Sequence, residues 1–142
     1  MDPVSAFGLA VNILAVIDCS CKILSTTTEL AARGITKENA DLETVVKDLS
    51  AINAKLMNPL HGTSEHEIAL KALADRSHVI SGELQGILGK LQVEKGSSGI
   101  RSITKAVQIA YNKQGIANRM RTLDQYRLQI LARLVTMLKW VL

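Results

Sequence analysis

Cysteine and histidine supply the soft metal ligands of this sequence, and their spacing does not suit a metal site. Cys19 and Cys21 lie two residues apart, and the three histidines are His61, His66 and His78. A structural zinc site normally pairs one closely spaced cysteine couple with a second couple. We therefore expect neither a metal nor another cofactor. Two cysteines are also too few and too close for a disulfide framework, so we expect reduced thiols on a helix.

Residues able to carry out catalysis are not grouped in any recognisable pattern. A nucleophilic Ser or Cys needs a base and a group that orients the base, and no sequence context marks such a nucleophile. The run from Gly82 to Lys90 superficially resembles a phosphate-binding loop, but Leu91 stands where that motif requires Ser or Thr. The run also falls inside a predicted helix. We predict that the chain is not an enzyme and works by binding other molecules.

Length and composition favour a single helical domain. The chain has 142 residues, of which 47% are hydrophobic but only 3% aromatic. A chain of this length can bury about two thirds of its unfolded surface in one core. A core of Leu, Ile, Val, Ala and Met suits a helix bundle better than a sandwich, in which strands favour aromatic residues. We predict one all-α domain over residues 1–142, an up-and-down bundle of four to five helices.

Apolar spacings of three and four residues place the helices. Pro3 after Asp2 is typical of a helix start, and Gly34 of a helix end. Ser64 and Glu67 have the capping-box spacing. Gly115 is the candidate break in the last helix. The predicted helices cover residues 3–33, 37–58, 64–95 and 100–142.

The last helix carries one apolar row in near-heptad register. Its members are Ile116, Met120, Leu123, Ile130, Leu134, Met137 and Val141. Arg127 lies about 25° from the centre of this row. We expect its aliphatic stem to cover the core while the guanidinium stays in water. If the guanidinium is buried it needs a carboxylate, for which Asp18 and Glu43 are the candidates.

Positive charge is concentrated at the C-terminal end. Residues 1–94 contain 8 basic and 12 acidic residues, whereas residues 95–142 contain 9 basic residues and 1 acidic residue. An anionic partner should therefore bind the last third. Nucleic acid is not favoured, because few aromatic residues could stack on bases and no helix-turn-helix spacing is present. An anionic membrane makes fewer geometric demands. The candidate contacts to anionic lipid or a partner, if they are not merely a solvated face, are Arg119, Arg121, Arg133 and Lys139.

Three glycines lie on one face of the third helix. Gly82, Gly86 and Gly89 each cost roughly 1 kcal/mol relative to Ala in a helix interior. Their spacing lets another helix approach closely. We expect tight packing within the monomer, and the alternative is a surface for self-association.

The N-terminal helix is apolar nearly all round in its first half. Residues 4–17 would rise about 21 Å as a helix, less than the roughly 30 Å of membrane hydrocarbon. Extension to Leu24 reaches that length only by including Asn12, Asp18 and Lys22, which are costly against lipid but tolerable against the water-filled lumen of an oligomer. In a folded bundle this segment would be the central core helix. Asp2 and the lack of a basic leading region argue against a cleaved signal peptide.

The opening MDPVSAFGLAVNILAVIDCSCKIL, followed by ENADLETVVKDLSAINAKL, resembles the HeLo-like N-terminal domains of fungal STAND proteins. These proteins are NOD-like receptors with a central nucleotide-binding module. The resemblance covers residues 1 to about 56. It departs from the family at Cys19 and Cys21, where apolar or aromatic residues are expected after Asp18. The matching positions are the Met-Asp-Pro start, Ser5, Leu9, Asn12, Asn39, Asp41 and Leu42.

The resemblance implies an effector domain of cell death or heterokaryon incompatibility. Such domains are helical bundles similar to that of the mixed-lineage kinase-like necroptosis executioner. A receptor region C-terminal to the domain, with a nucleotide-binding module, would oligomerise, and the clustered bundles would move from the cytoplasm to the plasma membrane. The alternative is a non-lytic adaptor bundle that mediates protein assembly. The implied membrane-active residues are Val4, Phe7, Gly8, Leu9, Val11, Ile13, Leu14, Val16 and Ile17.

Overall fold

A computed structural model describes residues 3–33, 42–56, 65–95 and 99–141. Within these ranges the secondary structure consists of five α-helices and no strands. The predicted all-α bundle of four to five helices is confirmed. The helices are α1 (Pro3–Arg33), α2 (Leu42–Leu56), α3 (Glu65–Lys95), α4 (Ile100–Ala110) and α5 (Lys113–Val141).

Several predicted helix ends fall outside the described residues. The stop at Gly34, the start at residue 37, the end at residue 58 and the cap at Ser64 are among them. The predicted start of α1 at Pro3 is confirmed, and α1 continues to Arg33 as the sequence indicates. A proline is tolerated at the first helical position, because its missing N–H would have no partner there.

The break in the last helical segment lies three residues before the predicted position. Tyr111 ends α4 with an extended backbone (φ −123°, ψ 125°). Asn112 then caps α5, since its Oδ1 accepts a hydrogen bond from the Gly115 N–H at 2.7 Å. A Cβ on Gly115 would lie 3.3 Å from Asn112 Oδ1 and 3.2 Å from Arg119 Nη1. The prediction of a break at Gly115 is wrong, because this glycine instead gives room to the cap.

Side-chain contacts define an antiparallel arrangement of α3 and α5. Arg119, early in α5, contacts Glu83, late in α3, whereas Arg133, late in α5, contacts His66, early in α3. The α2 and α3 helices are also antiparallel. Asn53, near the end of α2, accepts a hydrogen bond from Ser81 on α3, whereas residues nearer the start of α2 line a groove with α3 residues that follow Ser81.

Helix α1 runs antiparallel to α5 and occupies the centre of the bundle. Its C-terminal part, at Thr27, lines a groove with Ile116 at the start of α5, and its middle is joined to Arg127 through Asp18. Helix α1 contacts each of the other four helices. The chain is therefore an up-and-down bundle in which α4 and α5 together form the last, broken arm.

The apolar row predicted for α5 faces this core. Ile116, Leu123, Ile130 and Met137, spaced by seven residues, are all buried. Met120 and Leu134 are half-buried and pack against them. The side chain of Val141 lies outside the described part of the chain.

A buried polar network joins α2 to α3. The Ser81 hydroxyl donates to Asn53 Oδ1 at 2.7 Å, and Asn53 Nδ2 donates to Gln85 Oε1 at 3.0 Å. Gln85 Nε2 in turn donates to the Ser50 hydroxyl at 3.2 Å. The buried amide of Asn53 has these partners only when α2 and α3 are in this register. The network thus fixes how the two helices slide against each other.

Candidate functional site

The residues implied to be membrane-active do not all lie in the core. Leu9, Ile13, Val16 and Ile17 of α1 are buried, and Phe7 and Leu14 of the same helix are half-buried against the core. Gly8 and Val11 lie on the outer surface, where the Val11 side chain is 61% exposed. The backbone of Val4 belongs to α1, but its side chain lies outside the described part. The first half of α1 is therefore buried on one broad side, and its apolar outer side faces solvent.

In the described part of the chain, α1 is the one helix long and apolar enough to cross a membrane. The qualifying segment is Ala6–Leu30, with 25 residues. At 1.5 Å per residue it extends about 37 Å, more than the roughly 30 Å of a hydrocarbon layer. Core helices of soluble proteins and signal sequences have the same length and composition. In this fold half of the segment is buried.

Hydroxyl groups in the second half of α1 bond to its own backbone. Thr27 Oγ1 donates to the Ile23 carbonyl at 2.8 Å, and Thr28 Oγ1 donates to the Leu24 carbonyl at 3.3 Å. A hydroxyl bonded within its own helix needs no partner from another helix. These threonines can therefore stay satisfied wherever α1 is placed, in protein or in lipid.

The strongest polar link between α1 and α5 is formed by Arg127. Its Nη2 lies 2.7 Å from Asp18 Oδ1, and its Nη1 lies 2.6 Å from Asp124 Oδ1. The Arg127 side chain is only 31% exposed. Burial alone would lower the pKa of Arg127, but the hydrogen bond to Asp18 and the nearby carboxylates raise it above its usual value. The guanidinium is thus a fixed positive charge, and of the two carboxylates predicted as candidates it uses Asp18.

The two cysteines are free thiols that pack against neighbouring helices. Cys19 is buried, and its Sγ donates to the Val45 carbonyl at 3.2 Å. Burial, with a smaller effect from the Asp48 carboxylate, raises the pKa of Cys19 to about 11. Burial also raises the pKa of Cys21. Both thiols therefore stay protonated at neutral pH, which makes them poor nucleophiles and poor metal ligands.

The four basic residues predicted to contact lipid or a partner lie on two different sides of α5. Arg119 forms an ion pair with Glu83 at 3.2 Å and stacks 3.6 Å above the Tyr111 ring. Arg133 also points towards α3. Arg121 and Lys139 are exposed and share a face, because five helical turns separate them. The exposed pair remains available to an anionic surface, whereas Arg119 is occupied within the fold.

The glycines of α3 are not packed tightly within the chain. An added Cβ would meet no described atom within 4 Å at Gly86 or Gly89, and at Gly82 only His78 Nε2 at 3.9 Å. The expectation of close helix packing in the monomer is therefore wrong for the described residues, since each site has room for a methyl group. Self-association through this face stays a prediction.

A second apolar row on α5 faces solvent, and it was not predicted from the sequence. The described part of the chain exposes eight large hydrophobic side chains, and four of these form this row. Their spacings of three and four residues give one continuous stripe on the helix. The members are Leu128, Leu131, Val135 and Leu138. An apolar stripe of this kind commonly marks an interaction site.

No known protein family, curated protein or solved structure matches this chain. Within the described ranges, no three His, Cys, Asp or Glu residues come together in a way that could hold a metal ion. The geometry of α1 and of the surfaces around it is therefore the basis for assigning a function.

Proposed function

We propose that this chain is a HeLo-like effector domain of a fungal NOD-like receptor that acts in cell death or incompatibility. On clustering, it self-associates and inserts α1 into an anionic plasma membrane. The observation that carries the proposal is the double character of α1. It is the central helix of the bundle, and it is also long and apolar enough to span a bilayer.

The exposed part of α1 supports insertion as a physical step. Gly8 and Val11 already face outwards, so the helix offers lipid an apolar side before any core contact breaks. The exposed Arg121 and Lys139 on α5 could hold the domain at an anionic surface, where each basic residue contributes about 1 kcal/mol. Clustering strengthens the binding to the surface further, because the attraction of several linked copies adds together.

The exposed row on α5 supports the self-association part of the proposal. Leu128 and Val135 are 67% and 54% exposed, respectively. Covering such side chains between copies would remove apolar surface from water at about 25 cal/mol per Å². The row also favours the alternative function, an adaptor bundle that assembles with other proteins and leaves membranes intact.

Leakage of dye-filled vesicles tests the proposal. The domain is fused to an inducible oligomeriser and added to vesicles of phosphatidylcholine and phosphatidylserine, with and without inducer. We expect leakage only with inducer. Absence of leakage from the clustered domain on these vesicles rejects membrane insertion, and clustered but silent protein supports the adaptor function.

A matched pair of variants assigns the leakage to α1. Val11 on α1 and Val79 on α3 are both 61% exposed. A lysine at either position should leave the fold intact, as judged by circular dichroism. In lipid, however, a lysine costs up to about 3 kcal/mol at the centre of a spanning helix and less towards its ends, and every clustered copy carries this cost. We expect Val11→Lys to suppress leakage and Val79→Lys to preserve it. Equal leakage from the two variants would mean that α1 is not the inserting element.

A further inference from the structure

Helices α3 and α5 leave an open groove between them, on a side of the bundle that the proposed function does not use. The groove has a volume of about 490 Å³. Three of the residues that line it are alanines, namely Ala69 and Ala72 on α3 and Ala132 on α5. Longer side chains at these positions would fill the space between the helices. The groove therefore exists because small residues face each other across it.

Two arginines line this groove from opposite walls. Arg76 is contributed by α3 and Arg133 by α5, and no carboxylate is among the described lining residues. Arg76 makes no hydrogen bond or ion pair with any described residue. Arg133 is held by a contact of 3.3 Å between its Nη1 and His66 Nδ1, and the nearest carboxylate, Glu65, lies 4.0 Å away and is largely exposed. The groove thus carries the charge of Arg76, which no described carboxylate neutralises, and that of Arg133, which is offset only by a long ion pair to the exposed Glu65.

We propose that the groove is a binding site for a phosphate monoester. A guanidinium is a planar fork that matches two oxygens of one phosphate group. A phosphate monoester carries about −1.5 to −2 charges at neutral pH, which balances two arginines. Gln129, a further lining residue, is exposed and offers amide N–H donors to the same group.

The size of the groove indicates more than a bare ion. Pockets for small organic ligands typically measure about 300–1,000 Å³, and this groove falls within that range. The apolar alanines can contact an organic part while the arginines bind the phosphate. Such a monoester could come from a soluble metabolite or from a lipid headgroup such as that of phosphatidic acid. The chemistry recognised is the same in both cases.

Titration of the unclustered protein tests this site separately from membrane insertion. The probes are inorganic phosphate, followed by nuclear magnetic resonance, and phosphatidic acid vesicles, followed by co-sedimentation. Arg76→Gln removes one charge from the groove, and Ala72→Phe fills the groove without changing the charge. Arg101→Gln on α4 removes an exposed charge elsewhere and serves as the matched control.

We expect saturable binding to at least one probe, weakened at least tenfold by Arg76→Gln and by Ala72→Phe but unchanged by Arg101→Gln. Binding of inorganic phosphate alone identifies a soluble ligand, and binding of vesicles alone identifies a headgroup; either supports the site. Two results overturn it. One is a lack of saturable binding to both probes, and the other is equal weakening by Arg76→Gln and Arg101→Gln, which would indicate unspecific charge attraction. Vesicle leakage plays no part in either result.

Discussion

The bond between Arg127 and Asp18 should hold α1 in the bundle, and its removal should loosen that helix. The two residues are 109 positions apart in the sequence and 2.7 Å apart in the fold. Asp18→Asn keeps the size of the side chain and removes its charge. Arg127→Met keeps most of the aliphatic stem that covers the core. The two variants and their combination form a double-mutant cycle.

The expected coupling energy follows from the exposure of the pair. Unit charges 4 Å apart attract by about 4 kcal/mol at an effective dielectric constant of 20. Asp18, however, is 66% exposed, so water screens most of this attraction, and exposed pairs typically contribute about 0.2–1 kcal/mol. Asp124 holds the other side of the guanidinium at 2.6 Å, which lowers the entropy cost of ordering it. We therefore expect a coupling of about 1 kcal/mol, at the upper end of that range.

Urea unfolding followed by circular dichroism measures this coupling. It should fall to less than half when the salt concentration rises from low to about 1 M, because the Debye length then shrinks to about 3 Å. A coupling of less than about 0.3 kcal/mol at low salt, within the usual additivity error, would refute the reasoning. Asp124→Asn is the control. It breaks a bond within α5 and leaves the Asp18 carboxylate in place, so amide exchange in α1 should rise more in Asp18→Asn than in Asp124→Asn.

Four further substitutions test the open glycine face, the buried polar network and the buried thiol. Gly86→Ala and Gly89→Ala should each stabilise the monomer by roughly 0.5–1 kcal/mol in urea unfolding, because alanine favours helix and its methyl meets open space; destabilisation would show that a neighbouring helix covers that face. Asn53→Ala should cost about 0.5–1.5 kcal/mol, because the buried Ser81 hydroxyl loses its 2.7 Å acceptor and keeps only the 3.3 Å contact to the His78 carbonyl, and an unchanged unfolding midpoint would contradict this. Folding raises the pKa of Cys19 from 9.0 to about 11, so the folded state binds the thiol proton more tightly, and the resulting stability is present below pH 9 and lost as the pH rises towards 11. Cys19→Ala should flatten this alkaline decline by up to about 2.7 kcal/mol, and identical pH profiles of the two proteins would argue against it.

Sequence periodicity identified the helices but could not decide which apolar row is covered. In α5 the buried row through Ile130 and Met137 alternates with the exposed row through Leu131 and Leu138. Both rows have spacings of three and four, so both satisfy the same rule. The predicted row was the longer one, which runs from Ile116 to Met137, whereas the exposed row begins at Leu128. The second row became visible only when α1 and α3 were seen to occupy other sides of the helix.

The hydrogen-bond partners of polar residues were also difficult to predict from the sequence. Asn53 lies on the apolar side of α2, and nothing in the local sequence indicates that Ser81 and Gln85 would satisfy its amide. Arg127 was easier to interpret, because a charge beside an apolar row either reaches water or pairs with a carboxylate, and Asp18 was one of the two candidates for the second case. The predicted position of the helix break was wrong for a local reason. The side chain of Asn112 caps the start of α5, so Gly115 lies inside the first turn of that helix and does not interrupt it.

The energetics of α1 indicate what could release it. Four of its side chains, Ile13, Ile17, Ile23 and Leu24, are fully buried, and transferring them to water would cost about 6–12 kcal/mol at 1.5–3 kcal/mol each. The bond from Arg127 to Asp18 contributes about a tenth of this. Breaking that bond therefore cannot free α1 into water. Under the proposed function lipid would release it, because hydrocarbon offers the same side chains an apolar environment, and clustering would bring enough copies to the surface for the exchange. Asp18→Asn should accordingly speed leakage by the clustered domain and cause none in the unclustered one; leakage by the unclustered variant would show that the core holds α1 far less firmly than its burial indicates.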